Sequence, residues 1–188
     1  METPALSARE RIMTTAHDLF YRDGIRATGV DKLIAESGVA KLTFYRHFAS
    51  KDTLVLAFLE YRHARWMAWF VDALGRHGAH AGRGLPALAD ALAEWFRDPA
   101  FRGCAFINSV VEVGASVPGA LEIARQHKEE MEQVIAELLP QGDGRAERAR
   151  AIGVAVDGAV VRAQMGTVDE AITGLAALAA GAAHGGRG

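Results

Sequence analysis

The sequence predicts an all-α fold of about nine helices. Three observations carry this: apolar residues recur at three- and four-residue spacing, no segment alternates apolar and polar, and glycine or proline breaks fall between the periodic stretches. Composition agrees. The 188 residues are 50% hydrophobic and 23% charged, enough for a real core, and aromatics are only 7%, which favours close helix packing over sheets.

Taken in order, Ser7-Ala8-Arg9-Glu10 fits a capping box, with a Ser hydroxyl for a free backbone N–H and a Glu reaching back. Ile12, Ala16, Leu19 and Phe20 make one apolar face, and Gly24 ends the first helix, so it spans about 8–23. Thr28 or Gly29 opens a short helix whose inner stripe is Val30, Leu33 and Ile34, and Gly38 stops it. A second short helix covers about 40–47, with Phe44 and Phe48 one turn apart. Ser50 caps a long helix that carries Leu54, Phe58, Tyr61, Arg65 and Trp69 to about Leu74. Residues 75–84, with four glycines and no periodicity, read as a mobile loop. Further helices are predicted near 85–97, 101–115, 119–138, 145–165 and 167–181, separated by Asp98-Pro99, Val117-Pro118-Gly119 and the Pro140–Gly144 turn. Residues 183–188 read as a disordered tail.

Net charge is only −2, but its distribution is uneven. Residues 22–51 hold six basic and three acidic side chains, whereas residues 63–188 hold twelve basic and fifteen acidic ones. A basic segment on a mildly acidic body suits a polyanion, though the same balance also describes a solvated face. Cys104 is the single cysteine, so no internal disulfide can form, and no apolar run is long enough to span a bilayer. With no signal-like segment at its start, the chain is expected in the cytoplasm.

Two short helices around a glycine turn, supported by a preceding helix, are the ingredients of a helix-turn-helix. The major groove admits one α-helix, which the others must clamp at a fixed angle. Val39, Phe44 and Phe48 are expected inside, with Lys41, Thr43, Tyr45, Arg46 and His47 outside or flanking. The run from Thr28 to Lys51, and in it the pattern Tyr45-x-x-Phe48-x-x-Lys51, resembles the N-terminal domain of the TetR/AcrR family of transcriptional regulators over about residues 8–60. The resemblance implies a DNA-binding regulator with a double-stranded operator as partner, and site roles follow from it. Lys41 and Thr43 would meet base edges or adjacent phosphates. Tyr45, His47, Thr28 and Lys51 would meet phosphates, and Arg46 a guanine or a phosphate. Two residues depart from the family's habit. Ala40 stands where Ser is common, forfeiting a cap worth ~1 kcal/mol. Leu42 is large where the residue is often small; it either touches a thymine methyl or packs on the first helix.

One such unit covers too few base pairs, so a two-fold homodimer on a pseudo-palindromic operator is expected. The last two helices offer apolar seams for it: Ile152, Val156, Ala159, Val160 and Ala163, then Val168, Ile172 and Leu175; the alternative is that these faces pack within one subunit. The aromatics between 51 and 138 suggest an effector pocket, with Trp66, Trp69, Phe70, Trp95, Phe96, Cys104, Phe106, Ile107, Asn108, Val111, Glu112 and His127 as its candidate lining. The expected organisation is therefore a DNA-binding domain at 1–50 and an effector and dimerisation domain at 51–182. The expected function is a repressor released by a small molecule.

An enzyme is the first competing reading, but no nucleophile elbow, P-loop, dinucleotide fingerprint or HExxH helix occurs, so neither catalysis nor a cofactor is expected. His77 and His80 lie in a glycine-rich loop without cysteine or a close carboxylate and read as solvated rather than as metal ligands. The second competitor is a helical interaction module whose DNA-binding domain is vestigial or whose effector is a protein.

Overall fold

The computed structural model describes residues 6–184, and among them it is all α-helix and turn. The order is α1 (Ala8–Asp23), α2 (Val30–Ser37), α3 (Lys41–His47), α4 (Lys51–Arg76), α5 (Leu85–Phe96), α6 (Ala105–Val113), α7 (Ala120–Leu138), α8 (Arg145–Gln164) and α9 (Val168–His184). No described helix is long and apolar enough to cross a membrane. α9 reaches His184, so the segment expected to be a disordered tail begins as helix, and its remainder lies outside the described residues.

The helices form two compact units. The first takes the chain up to His63 together with Ala105–Ala124, and the second takes Ala64–Cys104 with the chain from Arg125 onward. The DNA-binding candidate thus has α6 and the first half of α4 as part of its own packing.

Local chemistry sets most boundaries. Ser7 Oγ accepts from Glu10 N–H at 3.3 Å while the Glu10 carboxylate accepts from Ser7 N–H at 2.8 Å. Gly38 closes α2 in the left-handed region at φ 63°, where a Cβ would be strained. Ser50 Oγ accepts from Thr53 N–H at 3.1 Å and starts α4. In the first unit Ile12, Leu19, Phe20, Leu33, Phe44, Phe48, Leu54 and Phe58 are all buried.

Two elements differ from expectation. α6 begins at Ala105, not 101, because Gly103 is at φ 85° and buried, and the Gln164 amide donates to the Arg102 carbonyl at 3.1 Å. The glycine loop is better tethered than its composition suggests. α4 extends into it as far as Arg76, and the N–H groups of Gly82 and Gly84 donate to the Glu137 and Leu138 carbonyls at 2.9 and 3.1 Å.

His77 is likewise tied rather than simply solvated. Its Nε2 lies 3.0 Å from Glu94, which also accepts from both terminal guanidinium nitrogens of Arg76 at 2.7 and 2.8 Å. The Arg76 hydrogen bond first, and the His77 one second, hold the Glu94 carboxyl at about 2. A carboxyl depressed on folding takes up protons in the unfolded chain before the folded one, so its stabilisation is present above the unfolded value and fades as pH falls toward 2. Glu94→Gln should therefore lower Tm by a degree or so at pH 7 and converge on the unsubstituted protein as pH falls below about 4.5. Parallel melting curves whose separation is pH-independent would contradict this pairing.

Candidate functional site

α3 is held by its inner face. Phe44 is fully buried, with the Phe48 ring at 6.4 Å and Val39 beside the turn that leads in. Ala40, the N-cap, supplies no side-chain bond, as its methyl requires. The outer face is bare. Lys41, Tyr45, Arg46 and His47 are exposed, and among the described residues none of these side chains has a hydrogen-bond or ion-pair partner. Thr43 is half-buried at the edge. Leu42 is 73% exposed, which decides its alternatives: it does not pack on α1 but stands on the open face. The result is a two-turn helix presenting a cation, an apolar tip, a phenol, a guanidinium and an imidazole. That donor-rich, shallowly convex surface suits a phosphate-flanked groove.

Thr28 and Lys51 are placed differently. Thr28 is fully buried, and its hydroxyl donates to the Gly24 carbonyl at 2.7 Å. Lys51 Nζ donates to the Ile25 carbonyl at 2.6 Å, and partial burial lowers the ammonium's pKa. Both side chains therefore grip the α1–α2 turn rather than face outward. Glu112 grips the same turn. Its carboxylate accepts from Arg26 N–H at 2.9 Å and lies so close to Gly24, at φ 90°, that a Cβ there would come within 3.1 Å of Oε2. Sequence reading missed this clamp because its partners are 86 residues apart. Arg11 adds another, donating to the Gly38 carbonyl at 3.3 Å. Near α2, Asp23 accepts from Arg22 and Lys32, which hold its carboxyl far below the usual range.

The proposed pocket residues divide. Trp66, Trp69, Phe70, Trp95, Phe96 and His127 do come together in the second unit. Trp66 stacks on Phe70 at 4.8 Å and meets His127 at 5.0 Å and Trp95 at 5.4 Å. Phe101 closes on Trp95 at 5.1 Å. The Trp66 indole N–H is buried there and has no acceptor among the described residues. Cys104 is in the same unit, buried, with its sulfur 3.6 Å from Lys128 Nζ, which also pairs with Asp157. Phe106, Ile107, Asn108, Val111 and Glu112 belong to the first unit, where Phe106 packs on His63. Val111 is corrected to a surface residue, 80% exposed, and Glu112 to the clamp on Arg26. The helical period placed them one or two turns beyond Cys104 but could not say which side of α6 faces which neighbour.

Ile152, Val156, Ala159, Val160, Ala163 and Leu175 are buried inside one chain, and Val168 and Ile172 are half-buried. α8 packs against α9, and α9 also against α5. The opposite faces are open: Val154, Val161 and Met165 on α8 and Leu178 on α9 are exposed, and a Cβ on Gly158, Gly174 or Gly181 would meet nothing. Among the described residues no group of three or more metal-ligating side chains occurs.

A short helix packed on α1 through its inner face, with its polar face free, has the geometry of a helix-turn-helix DNA-binding protein. The family model described as "Bacterial regulatory proteins, tetR family" matches residues 12–58. A TetR-family transcriptional regulator from Streptomyces coelicolor is 30% identical, with a TM-score of 0.82, over 94% of this chain and 96% of that one. A TetR transcriptional regulator from Chloroflexus aurantiacus is 25% identical, with a TM-score of 0.73, over 90% and 92% of the two chains. YerO of Bacillus subtilis, an uncharacterised helix-turn-helix-type transcriptional regulator, is 42% identical over 53 residues, which are 28% of this chain and 18% of YerO. The chain belongs to the TetR family of transcriptional regulators, and it is a DNA-binding regulator of transcription.

Proposed function

We propose that this regulator is a cytoplasmic homodimeric repressor that binds a pseudo-palindromic operator and is released from it by a small-molecule effector. The observation that carries the DNA half is the free outer face of α3. Lys41 and Arg46 supply charge, Tyr45 and His47 supply phosphate donors, Thr43 borders the face, and Leu42 is placed to touch a thymine methyl. Thr28 and Lys51 act one step back, by fixing the turn that sets the angle of α2 and α3.

The test separates these roles. Lys41→Ala should weaken binding to specific and random duplexes alike and reduce the slope of log affinity against log salt by about one. Lys51→Met should instead lower Tm and leave that slope unchanged. Equal salt slopes for Lys41→Ala and the unsubstituted protein would remove Lys41 from the interface. Selecting bound duplexes from a random pool, with and without metabolite extracts, reads out the operator and the effector response together.

Two features support effector control. The Trp66 N–H is a buried donor in want of an acceptor, inside an aromatic cluster able to surround an apolar ligand. And α4 is one continuous helix that carries Trp66, Trp69 and Phe70 in its second half and Lys51, the grip on Ile25, at its first residue. A ligand that prefers one disposition of α4 by about 2.8 kcal/mol weakens operator binding a hundredfold. For the homodimer, the unpartnered faces of α8 and α9 are the surfaces that a second copy would cover.

A further inference from the structure

Apart from the aromatic cluster, the second unit contains a groove of about 650 Å³ between α5 and α9. Its length is mostly apolar, with Leu85, Ala89, Leu138, Ile172, Ala176 and Ala179 among its walls. The volume and the apolar lining with few polar groups are those of a small-molecule site. Gly84 N–H bonding to Leu138 O ties its floor to the end of α7.

The charges are placed at opposite ends. α5 and α9 run antiparallel here: Arg97, just past α5, pairs with Asp169 in the first turn of α9 at 2.8 Å, while Leu85 and Pro86 share the groove with Ala179 and Ala180. Arg83 therefore lies at the end formed by the start of α5 and the end of α9. Asp90 lies at the other end, with Thr173. Leu85 to Asp90 climbs about 7.5 Å at 1.5 Å per residue, and Arg83 precedes that start by two residues, so the charges are on the order of 10 Å apart. Neither the Arg83 nor the Asp90 side chain has a hydrogen-bond or ion-pair partner among the described residues. The Thr173 hydroxyl already donates to the Asp169 carbonyl, which leaves its oxygen as an acceptor.

We infer that this groove binds an apolar zwitterion, with its anionic end on Arg83 and its ammonium on Asp90 and Thr173. A short apolar peptide with free termini is the simplest such molecule, since three extended residues span about 10 Å. A molecule with two acidic ends would meet Asp90, and one with two basic ends would meet Arg83, so the groove selects by the order of charges as well as by size. None of the aromatic cluster's side chains lines it, so this site and the proposed effector site stand or fall separately.

The test is calorimetry on the full chain, without DNA, using the tripeptide Leu-Leu-Leu as probe. The free peptide should bind saturably, and acetylating its amine or amidating its carboxylate should each weaken binding about tenfold. Asp90→Asn should make the protein indifferent to acetylation, and Arg83→Gln indifferent to amidation; both sit at the surface, and unchanged melting curves would show that the fold persists. No saturable heat with the free peptide overturns the proposal. So do capped peptides that bind as well as the free one, or losses that the two variants leave in place. Binding seen only when the protein is diluted into monomer would mean that a second copy covers the groove, and would also overturn it. Operator affinity measured on the same samples reports separately on the DNA-binding reading.

Discussion

Phe44→Ala should abolish operator binding by dissolving the helix that makes the contacts. Phe44 is fully buried at the centre of the first unit, with Tyr45 and Phe48 rings at 5.4 and 6.4 Å. Removing a buried phenyl costs about 3–5 kcal/mol in lost transfer energy and cavity. α3 has seven residues, an uncapped N-terminus and no intrinsic means of standing alone. Its attachment is therefore nearly all in this side chain and Phe48. The expected result is a melting transition lowered by ten degrees or more, with operator binding lost even at temperatures where the second unit keeps its helical signal. Phe44→Leu, which fills most of the volume, should retain binding with a smaller loss of stability. Unchanged binding by Phe44→Ala would mean that α3 is held by something other than its core face.

The contrast between Phe44 and Lys51 shows what the sequence made legible. Caps, glycine stops and the inner stripe of each short helix are local matters, so α1 to α4 could be placed to within a few residues from Ser7, Gly24, Gly38 and Ser50 alone. The exposed face of α3 followed from the same periodicity. Roles that depend on a distant partner did not follow. Lys51 and Thr28 have side chains suited to phosphate, but the backbone carbonyls of Ile25 and Gly24 lie within their reach and take them first. Glu112 shares a helix with pocket candidates, yet its partner is a turn 86 residues away. Side-chain type identifies what a residue can bond, and only packing says which bond is made.

α8 poses a harder problem, because it is apolar on two sides. Ile152, Val156, Ala159 and Ala163 make one stripe; Val154, Gly158, Val161 and Met165, spaced by four, three and four residues, make another. Periodicity finds both and ranks neither. The buried stripe is the richer in β-branched and alanine residues, which fits the close approach of α9 within the chain. The open stripe keeps Gly158 and three apolar side chains exposed, and an uncovered apolar line of this kind on a helix asks for a partner.

That asymmetry gives the second large effect. Val154→Asp combined with Met165→Asp should convert the proposed dimer to monomer. Both residues are 72% exposed in the single chain, so neither substitution disturbs the core of its own subunit. Across a two-fold interface each would leave a desolvated carboxylate without a cation, and the two copies would bring like charges together. A dissociation constant raised at least a hundredfold corresponds to about 2.8 kcal/mol, modest for four unpaired buried charges. Sedimentation at micromolar concentration should then show one chain. Helical content and the exposed face of α3 should be unaltered, so binding to an isolated half-site should survive while the preference for the full operator is lost, because two half-sites are no longer joined. Ile152→Ala offers the contrasting arm: it should lower Tm through a cavity in the chain's own core without changing the oligomeric state. A double-aspartate variant that still sediments as a dimer would place the interface elsewhere and return the α8 question to its other faces.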